Sequence, residues 1–144
     1  MSISFGVSIP FVELLGFTLE RFEGGESELH YTPTAQHTNS FDVTHGGACM
    51  TMLDVTMATA ARSLQPDMGV VTIEMKTSFM LPAKGALVGK GRLMHRTATM
   101  AFMEATIYDS QGRACTHATG TFKYVKRLPV AGKTIHDLQP PATD

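Results

Sequence analysis

Between residues 44 and 64 the chain carries one long helical pattern that is apolar on nearly every side, and no second stretch matches it. Ala, Cys, Met, Leu and Val fill it, Thr44 stands where an N-cap belongs, and Pro66-Asp67 closes it. A helix without a polar face has to be enclosed on several sides rather than laid on a surface. The remainder of the sequence supplies the enclosure. Residues 9–16 read as a short helix with proline at its start and Gly16 at its end. Residues 17–23 and 26–32 alternate across Gly24-Gly25 as a hairpin, and residues 33–44 read as a Pro/Thr/Asn/Ser-rich loop. Strand patterns follow at 70–81, 86–96, 99–108 and 113–125, with a turn at Asp109–Gly112. In the first of these, Val71, Ile73 and Met75 alternate with Thr72, Glu74 and Lys76.

One central helix against a curved antiparallel sheet of five or six strands, plus a short N-terminal helix, is an α+β domain. It is expected to occupy residues 1–126, with residues 127–144 (Pro129, Pro140, Pro141) as an extended or disordered tail. Strands this long leave an edge that needs covering, which argues for a homodimer.

Composition narrows the function. The formal net charge of −1 on 144 residues gives no electrostatic case for nucleic acid. The N-terminus lacks the pattern of a secretory signal, and the apolar run at 46–61 is too short to span a bilayer, so a cytoplasmic protein is expected. Two cysteines, Cys49 and Cys115, fall in core-type segments and read as buried free thiols. The six histidines show no ligand spacing on one element, so no metal site is expected.

The chemistry concentrates at the helix start, His45-Gly46-Gly47. The first N–H groups of a helix have no intrahelical acceptor, and the dipole makes that end weakly positive. Glycines there let an oxygen approach the backbone closely, which suits an oxygen gaining negative charge during a reaction. Asp54 sits two turns on, with Met50, Thr51, Met57 and Ala58 around it and no cation within a turn. Burial there raises a carboxyl's pKa toward the range of a general base; the bland alternative is an interface Asp satisfied by a neighbour. Eight residues separate Gly46 from Asp54, roughly 12 Å of helix rise, so one helix cannot offer both to one carbonyl. Two antiparallel helices about a two-fold axis can, giving two shared sites per dimer. Asn39 could orient a water or a carbonyl, or only shape its turn. His45 could donate to an oxygen or only end the loop. Thr72 could hold a water, although an outward strand threonine is the default. For Cys49, at the helix start, a small buried residue is the default over a nucleophile. Arg92, His95 and Arg96, with Lys123, Lys126 and Arg127, form modest basic groups.

With these residues in view, the chain resembles the hotdog-fold thioesterases of the phenylacetate-degradation (PaaI-like) group from about residue 10 to 125. The resemblance rests on Asn39–Asp54 with its His-Gly-Gly start, and on Gly69-Val-Val-Thr-Ile-Glu-Met-Lys-Thr-Ser-Phe-Met-Leu-Pro-Ala83. It implies a helix wrapped by sheet, a dimer that often pairs into a tetramer, and hydrolysis of acyl-CoA thioesters without metal or attached cofactor, coenzyme A being part of the substrate. By that resemblance the Gly46 N–H polarises the thioester carbonyl beside His45 and Asn39. Asp54 of the opposite subunit activates water or attacks directly, and Thr72 positions the water. Gly47, Phe79, Pro82, His95 and Arg96 are carried over as substrate and coenzyme A contacts. The acyl pocket is expected among Met50, Met57, Phe79 and Phe102. Two rival readings stand beside it, an acyl-thioester hydratase or dehydratase and a non-catalytic acyl-CoA sensor.

Overall fold

The computed structural model describes residues 2–126, and the expected tail at 127–144 lies outside them. The elements run α1 (Pro10–Leu15), β1 (Thr18–Glu23), β2 (Glu26–Tyr31), a 3-10 turn (Ala35–His37), α2 (Gly46–Arg62), β3 (Met68–Phe79), β4 (Leu87–Arg96), β5 (Met100–Tyr108) and β6 (Ala114–Lys126). The six strands form one antiparallel sheet in the order β1-β2-β4-β5-β6-β3. This is the hotdog arrangement, α2 lying in the curve of the sheet against β2, β3, β4, β5 and β6. The hairpin, the four later strands and both helices fall where the sequence patterns place them, within two residues at each end. The 3-10 turn inside the 33–44 loop is an element that the pattern of turn residues did not show.

What seats α2 is the absence of side chains beneath it. A Cβ at Gly89 would stand 2.9 Å from Thr56 Oγ1, and one at Gly91 2.9 Å from the Thr56 carbonyl oxygen, so β4 carries glycine where the helix touches it. The freed space is used for bonding. Ser27 Oγ donates to the Thr56 carbonyl (2.6 Å) and Tyr124 Oη to the Ala61 carbonyl (2.7 Å). At the helix C-terminus Ser63 Oγ accepts the Gly25 N–H (2.8 Å), tying the hairpin turn to the helix. Met52, Leu53, Met57, Ala60 and Ala61 are wholly buried against Leu29, Leu87, Met103 and Phe122. These contacts fix the axial position of α2, and with it the places of Gly46 and Asp54.

The enclosure is incomplete on one side. Gly47 and Met50 are exposed and Thr51, Asp54, Val55, Ala58 and Arg62 only half-buried, so one stripe of α2 stays open. The twelve-residue β3 beside it is an edge strand, and it exposes Val71, Ile73 and Phe79. That face is the surface where the sequence called for a cover.

The alternation in β3 reverses partway. Val70 and Thr72 pair with Tyr124 and Phe122 of β6, which face the helix; the register then slips between Thr72 and Glu74, and Met75, Thr77 and Phe79 pair with Gly120, Ala118 and Thr116. The bulge at Ile73 thus lets Thr72 and Phe79 face the same side although their numbers differ in parity. A strict two-residue period would have turned Val71 and Ile73 inward; Ile73 instead is 53% exposed.

Candidate functional site

The loop leading into α2 is pinned before the helix begins. The His45 N–H donates to the His37 carbonyl (2.8 Å) and the Thr44 N–H to the Ala83 carbonyl (3.0 Å). Thr44 is not the N-cap: the helix starts one residue later, and His45 caps it, its Nδ1 accepting the Gly47 N–H at 2.8 Å. The imidazole reaches N2 because Gly47 presents no side chain; a Cβ there would stand 3.0 Å from that nitrogen. With Nδ1 accepting, Nε2 is left as the ring's donor. Gly47 is therefore spent on the cap and lines neither of the cavities described below. The first amide of the helix, the Gly46 N–H, has no protein acceptor among the described residues. It is the donor left over for a ligand.

Asn39 does shape its turn. Its Oδ1 accepts the Phe41 N–H (2.9 Å) and the Val43 N–H (3.3 Å), which leaves the side-chain NH2 as the part able to donate outward.

Gly46 and Asn39 line one cavity of about 650 Å³, together with Phe79 at the end of β3, Leu81 and Pro82 just beyond it, and Lys84. The Phe79 ring lies against Gly46, its Cε1 3.2 Å from where a Cβ would stand. Of the four residues expected to form the acyl pocket, only Phe79 lines it. Met57 is wholly buried in the core, Met50 is on the open stripe of α2, and Phe102 lies beside His95 with ring centroids 6.1 Å apart.

Asp54 borders a different cavity, of about 330 Å³, together with Thr72, Val55, Ala58 and the N-terminal residues Phe5, Val7 and Ile9. Thr72 Oγ1 donates to Asp54 Oδ1 at 2.6 Å. Thr72 therefore faces the helix, against the default for a strand threonine, and the bulge after it is the cause. Burial pushes the Asp54 carboxyl above the ordinary range, and the Thr72 hydrogen bond pulls the other way. Arg62, the one cation of α2, donates to the Phe5 carbonyl and lies 5.0 Å over the Phe22 ring. Within one chain, then, the free amide and the raised carboxyl belong to two separate hollows.

His95 and Arg96 join neither. Arg96 lies 5.0 Å over the ring of Tyr124, whose hydroxyl bonds to Ala61 near the C-terminal end of α2. That is the end of the helix opposite Gly46. Cys49 is buried and its thiol pushed up to about 11 by burial, which fits a packing residue rather than a thiolate nucleophile. Residues that sequence reasoning did not single out are Thr116 and Lys84, both lining the larger cavity. Thr116 arrives there through the pairing of β6 with β3, a contact with no local sequence signal.

A family model described as the thioesterase superfamily matches residues 41–116, a span from the Asn39 loop to Thr116. The chain is 29% identical over 112 residues to a curated Saccharolobus solfataricus protein provisionally named an esterase, covering 77% of this chain and 79% of that one. A conserved protein of Pseudomonas aeruginosa has the same fold, with a TM-score of 0.78 and 27% identity over 84% of this chain and 97% of the other. The PaaI protein of the E. coli phenylacetic acid degradation operon shares the fold at a TM-score of 0.75 and 20% identity, covering 80% of this chain and 83% of that one.

Proposed function

Since the chain belongs to the thioesterase superfamily, we propose that it hydrolyses acyl-CoA thioesters in a site shared between two protomers. One protomer brings the Gly46 amide and Asn39, and its partner brings the carboxylate of its own position 54 with the threonine bonded to it. The observation that carries the reading is the separation of the two halves: an amide with no acceptor among the described residues opens one hollow, and a carboxyl of raised pKa borders another. A second copy laid antiparallel on the open stripe of α2 and the β3 edge brings unlike halves together. That arrangement also covers the exposed strand.

The chemistry follows from the charges. Water attacks the thioester carbon while the Asp54 carboxylate takes its proton. Negative charge grows on the carbonyl oxygen, where the Gly46 N–H is already aimed. The C–S bond breaks, the sulfur takes a proton, and free acid and coenzyme A leave. Thr72 spends its hydroxyl hydrogen on Asp54, so its oxygen remains able to accept a hydrogen bond from the attacking water. Water, amide and carboxylate suffice, and coenzyme A enters only with the substrate. His95 and Arg96, at the far end of α2, come near the partner's Gly46 if the helices pair antiparallel, which would suit the nucleotide phosphates. Pairing of dimers into tetramers extends the same assembly.

The test is release of thiol from benzoyl-CoA and hexanoyl-CoA by the purified protein. Release supports hydrolysis; binding without release would favour a sensor, and consumption of an enoyl thioester without thiol a hydratase. A second expectation concerns pH. If Asp54 is the base, kcat/KM rises with pH as it loses its proton, at a value above the ordinary carboxylate range. Thr72→Val removes the bond that favours the charged form, so this limb moves to higher pH, while Thr72→Ser leaves it in place. A limb that stays put in the valine variant would separate Thr72 from the base.

A further inference from the structure

Among the described residues two buried side-chain oxygens lack a hydrogen-bond partner within the protein, Thr77 Oγ1 and Thr116 Oγ1, and Thr116 lines a cavity. The cavity is the one that opens at the Gly46 amide. Thr116 is 1% exposed and shares its face of β6 with the inward-facing Ala118 and Phe122. It stands opposite Phe79 in the β3–β6 register. Val43, Phe79, Leu81 and Pro82 give apolar walls, the polar groups that also line the cavity (Asn39, Thr44, Lys84 and the Gly46 amide) make no hydrogen bond to Thr116 Oγ1, and the buried Cys49 thiol is a weak partner at best. A hydroxyl enclosed without a partner costs stability that an isosteric valine would not. An oxygen on a bound molecule would remove that cost, because a threonine hydroxyl both donates and accepts.

We propose that Thr116 sets the acyl specificity of this site, its hydroxyl bonding to an oxygen carried on the acyl group. The preferred substrates are then coenzyme A thioesters of hydroxylated acids rather than of bare hydrocarbons. This inference rests on the acyl-CoA hydrolase reading given above. The discrimination comes from both sides of the contact. A hydroxylated acyl group gains a partner inside an apolar cavity, and a plain one leaves Thr116 unpaired.

The experiment compares kcat/KM within matched pairs, 3-hydroxybenzoyl- against benzoyl-CoA and 6-hydroxyhexanoyl- against hexanoyl-CoA, in the wild type, Thr116→Val and Thr116→Ser. One neutral hydrogen bond predicts a preference of about tenfold for the better-fitting hydroxylated member in the wild type. The preference falls toward one in the valine variant and survives in the serine variant. Thermal melting provides a second reading: Thr116→Val should melt no lower than the wild type, since it removes an unpaired buried hydroxyl. Equal ratios in wild type and valine variant, or a wild type without preference in either pair, overturn the assignment while leaving hydrolysis intact. A valine variant that melts well below the wild type also overturns it, because the hydroxyl would then have a partner within the protein. If no substrate of either pair releases thiol, the hydrolase reading fails, and this assignment with it.

Discussion

Asp54→Asn lowers kcat/KM for any accepted acyl-CoA by about 10²–10⁴-fold, the usual contribution of a positioned general base, and it does so without weakening the fold. Asparagine keeps the shape and still offers Thr72 an oxygen to bond, so the geometry at 2.6 Å has no reason to change. What disappears is the ability to take a proton from water. Stability moves the other way. Burial raises the Asp54 carboxyl, so the folded chain holds that proton more tightly than the unfolded one. The contribution of such a group is fully present below its unfolded value and is lost as pH rises through its folded value. At neutral pH the native state therefore bears a half-buried charge that asparagine lacks. The variant should melt at or above the wild-type temperature at pH 7, and the difference should shrink as pH falls toward the ordinary carboxylate range. Steady-state kinetics with melting curves at both pH values checks the pair of effects. Turnover at the wild-type rate would remove Asp54 from the mechanism. A large loss of stability at pH 7 would make it a structural residue.

The parts of this molecule that are legible in the sequence are those set by local pattern. The enclosed helix is written in the run of Ala, Met, Leu and Val at 46–62, the hairpin in Gly24-Gly25, and the placing of Gly46 and Asp54 in separate hollows in the eight-residue gap between them. What local pattern could not show depends on pairing between distant segments. β3 follows α2 in the chain yet lies at the edge beside β6, and only that pairing brings Thr116 opposite Phe79. The bulge at Ile73 has no turn residue to announce it, and it inverts the inward face of the strand just where Thr72 meets Asp54. The cap was misplaced by one residue for a similar reason. Thr44 has the side chain of a good N-cap, but its amide is held by Ala83, in the connection between β3 and β4, and His45 takes the role. Met57 and Phe102 do not line the cavity at Gly46, because volume and hydrophobicity do not say which face of an element a residue occupies.

Gly46→Pro abolishes most of the activity by deleting one hydrogen atom, and the local structure is already suited to it. Gly46 is the first residue of α2, the position where proline is best tolerated in a helix. His45, which would precede the proline, has φ −59° and ψ 139°, within the extended region that a residue before proline must occupy. The added Cβ meets only the Phe79 side chain, which is 55% exposed and free to turn aside. Gly46→Ala brings the same Cβ contact but keeps the N–H. If the amide stabilises the developing oxyanion, the proline variant loses about 10²–10³ in kcat and the alanine variant far less. Equal losses in both would assign the effect to crowding against Phe79 instead. Combined with Asp54→Asn, the pair also tests the shared site. Homodimers of either variant have only damaged sites, whereas a mixed dimer joins the intact Gly46 of one chain to the intact Asp54 of the other. Denaturing and refolding an equal mixture should make half of the dimers mixed, each with one working site in two. Activity should then return to about a quarter of the wild-type level, as two-fold symmetry requires. A mixture no more active than its parents would mean that the amide and the carboxylate never meet across a subunit boundary.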